Sequence, residues 1–277
     1  MAFKCNNSTV FIPQTKEGNR NLNTISSYHI DPKFNGGFSI YYQNARGINR
    51  IINNLYVQLQ DIHYEAIALT ETWLKPSIQD HEIFPNHYSV YRCERTKQQG
   101  GGVLLALSHG DQYKSKQINF SELRQIANNI DIVGVDIKIS STETLTIIVL
   151  YIPPHTSSVL IHNFFCELTS ILFLKSNVCV MGDFNVRSFV DPDLSNSKCR
   201  DLLDFISFSG LTQTNNTRNI DNVLLDLVLV RDVSCKVEHS GEPLTREDVY
   251  HPSLLTKSKR VCTKTQKLPR NNAQIRV

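Results

Sequence analysis

The chain has 277 residues and a formal net charge of +3, a size that fits one large domain or two small ones. Its composition, 40% hydrophobic and 20% charged, is ordinary for a globular protein and excludes a fibrous or wholly disordered chain. Its apolar runs are shorter than the roughly 20 residues of a membrane-spanning helix, and the N-terminus lacks the apolar core of a secretory signal. We therefore expect no membrane association.

The seven cysteines are odd in number and contain no Cys-x-x-Cys pair. This pattern favours reduced thiols in an intracellular protein over a disulfide framework or a zinc site. We therefore expect the protein in the nucleus or the cytoplasm, and the sequence does not indicate its oligomeric state.

The two ends of the chain differ in character from the middle. Residues 1–36 are polar, rich in Asn and Ser and without periodicity, which predicts a disordered leader. Residues 257–277 contain seven Lys or Arg residues and no acid, so subtracting them from the net +3 leaves about −4 for residues 1–256. This basic tail either docks on nucleic acid electrostatically or is a solvated terminus, and we expect it to be disordered.

Between these ends, residues 37–256 alternate between short strands and helices without an internal repeat or a linker. The segments predicted to contain strands, in chain order, are FSIYYQNARG, EAIALTET, HYSVYRCER, GGVLLALS, IDIVGVDIKI, TLTIIVLYIPP, VCVMGDFNV, LLDLVLV, VSCKVEHS and HPSLL. The predicted helices are INRIINNLYVQLQ, SSVLIHNFFCELTSILFLK and DLLDFISFSG, the last of which is ended by Gly210. Strands outnumber helices and arrive partly in hairpin-like pairs. We predict an α+β fold, a four-layer α/β-sandwich of two packed mixed β-sheets flanked by helices.

Polar residues recur where the predicted strands end. In VCVMGDFNV a buried strand stops at Gly182-Asp183-Phe184-Asn185, which on its own is either a turn or a site. Side chains i and i+2 of an extended chain share a face, so Asp183 and Asn185 are expected to point into one pocket. Because the same pattern recurs, a site is favoured. The other polar strand ends are Asn44, Glu71, Tyr151 and Asp226.

The segments QNARG, LTETW, GGGVLLAL, YIPP, GDFN, LLDLVL and DVYHPSL, in this order, resemble the endonuclease/exonuclease/phosphatase superfamily. Within it they are most similar to the apurinic-like endonuclease domains of non-LTR retrotransposons. The resemblance runs from roughly Ser39 to Leu255, and seven segments in order make chance a poor explanation. It implies a retrotransposon-derived phosphodiesterase, here expected without the reverse transcriptase that such relatives normally carry.

The resemblance also implies a role for individual residues. Asn44 helps to hold the metal or the scissile phosphate, Glu71 binds the metal, and Asp183 orients or activates the attacking water. Many family members have Ser-Asp before the catalytic histidine, whereas this chain has Asp248-Val249-Tyr250. Asp248 therefore either reaches the metal through a water or faces away.

On the substrate side, the resemblance implies that Tyr151 hydrogen-bonds the phosphate and that Asn185 stabilises it. Asp226 braces His251, which acts either as a cation beside the phosphate or as a base. Arg95, in the surface loop RCERTKQQGG, either contacts the DNA backbone or is only solvated.

These residues suit phosphodiester hydrolysis with a hard divalent cation, Mg²⁺ or alternatively Mn²⁺, and no small-molecule cofactor. The favoured function is an endonuclease that nicks DNA. One alternative is a catalytically silent, truncated or domesticated copy that only binds DNA. The other is a phosphodiesterase of the same superfamily that acts on lipid or RNA.

Overall fold

Two six-stranded β-sheets pack face to face in the computed structural model, and helices cover the outer side of each sheet. The structure describes residues 38–95, 100–108 and 113–258. The predicted leader and the basic tail from residue 259 onward lie outside the described residues. None of the described helices is long and apolar enough to cross a membrane.

The elements follow the predicted order, with several short additions. The strands are β1 (Phe38–Asn44), β2 (Ala66–Thr70), β3 (Tyr88–Cys93), β4 (Val103–Ser108), β5 (Lys114–Gln117), β6 (Asp131–Lys138), β7 (Thr144–Tyr151), β8 (Asn177–Asp183), β9 (Thr212–Gln213), β10 (Asp226–Arg231), β11 (Cys235–His239) and β12 (Leu254–Ser258). The helices are α1 (Ile52–Asp61), α2 (Asp80–Ile83), α3 (Ser121–Ile126), α4 (Ser158–Phe173) and α5 (Ser197–Phe208).

Both sheets are mixed. The first sheet has the order β11-β12-β1-β2-β4-β3, and the second has the order β5-β6-β7-β8-β10-β9. Each contains one parallel pair, β1 with β2 and β7 with β8, and its other pairs are antiparallel. The predicted four-layer α/β-sandwich is confirmed. The boundary predicted at residue 257 is not what the structure shows, because Lys257 and Ser258 pair with β1 and β11.

The sandwich has three apolar layers: one between the two sheets and one under the helices of each sheet. Period-two alternation along the strands sorts the side chains between these layers. On β8, for example, Cys179 and Met181 face the other sheet, while Val178 and Val180 face the helices. Strands buried on both faces must be apolar at nearly every position, which explains the continuous apolar runs in the sequence.

The same alternation brings the polar strand-end residues to one end of the layer between the sheets. Asn44 lies two positions after Tyr42, and Asp183 lies two positions after Met181, with both apolar residues in that layer. Tyr151 itself belongs to that layer, at the end of β7. The parallel pairs β1–β2 and β7–β8 end at the same edges of their sheets. The fold therefore gathers polar groups at one end of a dry interface.

Gly182 is the tightest backbone position of β8. A Cβ added there would lie 1.9 Å from the carbonyl oxygen of Leu150 on β7, and the φ angle of Gly182 is +153°. We expect Gly182→Ala to lower the free energy of unfolding by about 3 kcal/mol or more, because overpacking and backbone strain add.

Urea unfolding followed by circular dichroism measures this loss. Gly241→Ala is the matched control, since its added Cβ meets no atom within 4 Å. Its unfolding free energy should stay within about 0.5 kcal/mol of the wild type. Equal stability of the two variants would contradict the close approach of β7 and β8.

Candidate active site

Three ionisable side chains from different segments meet at the polar end of the sandwich. Glu71, Asp183 and His251 each offer one possible ligand atom, and these atoms all lie within 4.8 Å of one another. Asp183 and His251 are buried, and Glu71 is partly exposed. Glu71 follows β2, Asp183 ends β8, and His251 precedes β12, so both sheets contribute to the site.

Asn44 lies between the two carboxylates of this group. Its Nδ2 donates to Glu71 Oε1 at 3.0 Å and to Asp183 Oδ2 at 3.1 Å. Its Oδ1 accepts from the backbone N–H of Arg46 at 3.3 Å. The amide of Asn44 thus holds two like charges in fixed positions and partly offsets their repulsion.

His251 is oriented by Asp226. The distance from His251 Nδ1 to Asp226 Oδ2 is 2.9 Å, and the distance from Nδ1 to Asp183 Oδ2 is 3.9 Å. The Tyr42 hydroxyl donates to the other oxygen of Asp226 at 2.5 Å, and Asn215 Nδ2 donates to the Asp226 backbone carbonyl at 2.8 Å. Asp226, which aligns the imidazole, is therefore itself held through both its side chain and its backbone.

The position of Asp226 differs from the sequence-based prediction. It begins β10 instead of ending a strand. Because β10 runs antiparallel to β8, its first residue pairs with the last residue of β8, and Asp226 lies directly opposite Asp183. An acid at either kind of strand end therefore reaches the same site.

The pKa values of Asp183 and His251 are both raised, for different physical reasons. Burial, with the neighbouring carboxylate of Asp226, raises the pKa of Asp183 well above its usual range. Burial acts to lower the pKa of His251, but the carboxylates of Asp226, Asp183 and Glu71 outweigh it and raise this pKa from 6.5 to about 9. The imidazole is therefore cationic at neutral pH and supplies one positive charge to a group rich in carboxylates.

Backbone strain is concentrated around this cluster. Six non-glycine residues of the described chain have positive φ, and four of them flank the site: Arg46, Glu71, Trp73 and Asn185. The left-handed conformation costs about 1–2 kcal/mol at such a residue, and strain of this kind clusters at functional sites. The backbone after β1, β2 and β8 is thus bent to aim particular side chains.

Asn185 does not share a strand face with Asp183 as predicted. Its φ of +52° ends the extended conformation, and its backbone N–H donates to Asp183 Oδ1 at 3.1 Å. Its side-chain Nδ2 donates to the carbonyl of Ile152 at 3.0 Å. The segment is therefore both a turn and part of the site, because the turn fixes the Asp183 carboxylate.

Tyr151 and Arg95 are close to each other on the second sheet's side of the site. The Arg95 guanidinium lies 5.4 Å from the centre of the Tyr151 ring and forms two contacts with Asp131, at 2.9 and 2.8 Å. Burial raises the pKa of the Tyr151 phenol, and the charges of Glu71 and Asp183 add to this rise. The structure thus gives Arg95 contacts with Asp131 and with the Tyr151 ring, while its predicted contact with DNA stays a prediction.

Asp248 is not brought into the cluster. Its Oδ2 pairs with Arg46 Nη1 at 2.6 Å, and its Oδ1 accepts from the backbone N–H of Tyr250 at 2.8 Å. Both oxygens are engaged away from Glu71 and Asp183. A contact of Asp248 with the metal through a water stays a prediction.

The cluster fits a hard divalent cation. Glu71 and Asp183 are the oxygen donors that Mg²⁺ and Mn²⁺ prefer, and such metals need only one or two carboxylates besides water and substrate. Burial first, and then the charge of Asp226, raises the pKa of Asp183, so a further positive charge at this point would favour its ionised form. Asn44 and the imidazolium of His251 compensate only part of the negative charge.

Three residues of the site were not predicted from the sequence. Tyr42 could have been found, because it lies two positions before Asn44 on the same strand face. Trp73 follows Glu71 by two residues, and its indole N–H donates to Glu71 Oε2 at 3.3 Å. Asp131 gives no sequence signal, because its partner Arg95 is 36 residues away in the chain.

Comparisons with known proteins show which solved structures share this fold. Neither the protein-family models nor the curated protein sequences give a match to this chain. Among solved structures, the endonuclease domain of TRAS1, a telomere-specific non-LTR retrotransposon, matches with a TM-score of 0.58 and 14% identity, covering 82% of this chain and all of that domain. An endonuclease/exonuclease/phosphatase from Bacteroides vulgatus matches with a TM-score of 0.54 and 14% identity, covering 80% of this chain and 98% of that one.

This chain has the endonuclease/exonuclease/phosphatase fold. A further structure with this fold, D. rerio TDP2 with a single strand DNA product, matches with a TM-score of 0.51 and 12% identity, covering 80% of this chain and 98% of that one. The resemblance stated from the sequence is confirmed at the level of fold. In this chain the fold's polar end carries the Glu71–Asp183–His251 cluster.

The pKa of His251 gives a pH-dependent prediction for the metal-free protein. Because the folded pKa of about 9 exceeds 6.5, the stabilisation by the imidazolium is complete below pH 6.5 and is lost as the pH rises through 9. We expect Asp226→Asn to lower the pKa of His251 toward or below 6.5. Desolvation lowers this pKa, and the variant removes the carboxylate that opposes it most strongly.

Titration of the histidine ring signals by NMR in the presence of EDTA measures this pKa, with His251→Gln for assignment. His162, which is 61% exposed and pairs with Asp201, is the internal control and should titrate alike in both proteins. An unchanged midpoint for His251 in Asp226→Asn would contradict the assigned role of Asp226.

Proposed function

We propose that this chain is a divalent-metal-dependent endonuclease that nicks DNA, with Mg²⁺ as its metal. The observation that carries the proposal is the convergence of Glu71, Asp183 and His251 within 4.8 Å at the end of the layer between the sheets. Further support comes from the fold, which the chain shares with a retrotransposon endonuclease domain and with a protein crystallised with DNA product. We also propose an origin from a non-LTR retrotransposon.

Hydrolysis of a phosphodiester adds negative charge to an anionic centre and needs a water in line with the leaving oxygen. Glu71 and Asp183 would hold the metal, with Asn44 keeping their carboxylates in place. The bound cation would neutralise developing charge and restrict the geometry of the phosphate. Orientation of the water, transfer of its proton and contacts with the phosphate are assigned to the surrounding side chains.

Asp183 and His251 have complementary tasks in this proposal. The carboxylate of Asp183, fixed by the N–H of Asn185, orients the attacking water and accepts its proton. The imidazolium of His251, held by Asp226, stabilises charge on the phosphate oxygens. The Asp226 carboxylate, 2.9 Å from Nδ1, favours the cationic form of the imidazole and supports this role over that of a base.

Tyr151 and Asn185 complete the proposed substrate contacts. The raised pKa of Tyr151 keeps its hydroxyl protonated, so it can donate to a phosphate oxygen. The Asn185 amide donates to Ile152 in the structure, and its contact with the phosphate requires this bond to be shared or exchanged. Donors aimed at the transition state strengthen as charge develops there.

Nicking of supercoiled plasmid tests the proposal. Wild-type protein with Mg²⁺ or Mn²⁺ is expected to convert the plasmid to its open circular form, and EDTA is expected to abolish this activity. Asp183→Asn and His251→Ala should each lower the rate about 100-fold or more, because each removes a group that acts on the reacting atoms.

Glu238→Gln is the control variant, since this carboxylate pairs with Lys236 and Lys257 at the far strand of the first sheet. It should nick at the wild-type rate. Equal nicking by the wild type and both site variants would identify a contaminating nuclease. A folded wild type that binds DNA without nicking it under either metal would favour the catalytically silent copy.

Arg95→Ala distinguishes the two roles considered for this residue. If Arg95 positions Tyr151, we expect kcat to fall about tenfold, because the phenol loses the cation over its ring. The dependence of DNA binding on salt should then stay unchanged.

Nicking rates and fluorescence anisotropy at several salt concentrations measure both quantities, and circular dichroism shows whether the variant is folded. A phosphate contact would instead lower the slope of log K against log salt by about 0.9, with little change in kcat. That result would support the DNA contact predicted from the sequence.

A further inference from the structure

Trp73, the single tryptophan of the chain, lies beside the metal-binding cluster without serving the core. Its side chain is 43% exposed, whereas a tryptophan usually buries most of its surface. Its φ is +54°, a conformation that is a genuine outlier for a bulky residue. An exposed apolar ring in a strained backbone requires a reason other than packing.

Several contacts fix the orientation of this ring. The indole lies against Gly47, where an added Cβ would come within 2.5 Å of Cε3. The indole N–H donates to Glu71 Oε2 at 3.3 Å, and the Trp73 backbone is held by Gly101 and Asn49 at 3.0 and 2.6 Å. One part of the ring is thus packed and the remainder is presented to solvent in a fixed position next to Glu71.

A second exposed aromatic residue is adjacent in sequence to the cluster. Tyr250 directly precedes His251 and is 39% exposed. Among the tryptophan and tyrosine residues that the structure describes, Trp73 and Tyr250 are the exposed ones; the exposed phenylalanines, Phe173 and Phe208, lie at the ends of outer helices.

Tyr250 borders an open groove of about 440 Å³ that also includes Gly47, the residue under Trp73. Val249 contributes an apolar wall, and Arg46 and Arg246 contribute cationic groups. Arg46 pairs with Asp248, but Arg246 is exposed and has no ion pair within the part of the chain that the structure describes. An aromatic ring next to cationic side chains is suited to bind a nucleotide, because the base stacks on the ring and the phosphate pairs with the cations.

A stacking surface restricts the kind of DNA that fits. In a fully paired duplex both faces of each base are covered by its neighbours, so an aromatic side chain cannot lie flat on a base. Bases in single strands, bulges and unpaired ends expose their faces, and stacking on aromatic residues is how proteins hold them. Two such residues next to members of the proposed phosphodiester-cleaving centre, Trp73 at Glu71 and Tyr250 at His251, therefore favour an unpaired substrate.

We propose that Trp73 and Tyr250 stack on the nucleotides on either side of the scissile phosphate, so that this enzyme cleaves DNA that is single-stranded or locally unpaired at the cut. The proposal rests on the proposed function and specifies its substrate. Trp73 receives the base on the Glu71 side, and Tyr250 receives the base on the His251 side, with Arg246 contacting the next phosphate in the groove.

Because the chain has one tryptophan, its fluorescence reports the predicted contact directly. We expect a DNA single strand, or a duplex with an unpaired bulge, to quench Trp73 emission at least twofold at saturation. The experiment uses the Asp183→Asn variant with Mg²⁺, so that the DNA stays intact, and anisotropy of labelled DNA measures binding independently. A fully paired duplex should bind without comparable quenching.

Variant kinetics separate stacking from the hydrogen bond to Glu71. Trp73→Phe keeps an aromatic face but loses the indole N–H, and its loss of kcat/KM on bulged DNA should be smaller than that of Trp73→Leu. Trp73→Leu and Tyr250→Ala remove a face, and each should lower kcat/KM about fivefold or more, mainly through KM. Phe208→Ala, at an exposed aromatic outside the site, is the control and should leave the rate unchanged.

Three outcomes would overturn the inference. The first is equal quenching, or equal cleavage, of paired and unpaired DNA by the wild type. The second is DNA binding by anisotropy with no change in emission. The third is an equal loss in Trp73→Phe and Trp73→Leu, which would assign Trp73 to holding Glu71. Nicking by the wild type in any of these cases leaves the proposed function standing, whereas absence of nicking from every DNA substrate contradicts both.

Discussion

The main physical constraint on the polar end of this fold is that several carboxylates are buried close together there. Glu71, Asp183 and Asp226 crowd around a single imidazole, and two of these acids lie directly opposite each other on antiparallel strands. Such a group is unfavourable without compensation, because desolvation and mutual repulsion both act against the ionised carboxylates. Asn44, Tyr42 and the cationic His251 compensate part of the charge, and the remainder explains why the site suits a divalent cation.

The apolar layers and the strained turns together fix the positions of these charged side chains. Strands buried on both faces provide positions that do not shift when side chains repel one another. Left-handed residues after β1, β2 and β8 then bend the chain so that it leaves the sheet at the site. Two glycines near the site allow neighbouring groups to approach the backbone closely. Leu150 lies against Gly182, and the side chains of Arg95 and Asp131 lie against Gly101. The buried strands thus supply the rigidity, and the residues that directly follow them carry the backbone strain.

Much of this was predictable from the sequence, and the failures have physical causes. Period-two alternation in long apolar strands identifies the sheets and predicts that Asn44, Tyr151 and Asp183 meet at one end of the sandwich. It does not predict the direction of β10, and Asp226 was therefore expected at the wrong end of its strand. Alternation also fails for Asn185, where a left-handed residue ends the extended chain. The Arg95–Asp131 pair joins distant segments, which no local pattern can indicate.

The order in which the strands enter the two sheets has a consequence for the newborn chain. The first sheet is begun by β1 to β4 and finished by β11 and β12, after the whole second sheet has been made. His251 arrives with that final pair of strands, so the acids made earlier remain without their imidazole until the ribosome has released nearly the entire domain. The Glu71–Asp183–His251 cluster is therefore completed only when β12, the last strand to be made, pairs with β1, the first.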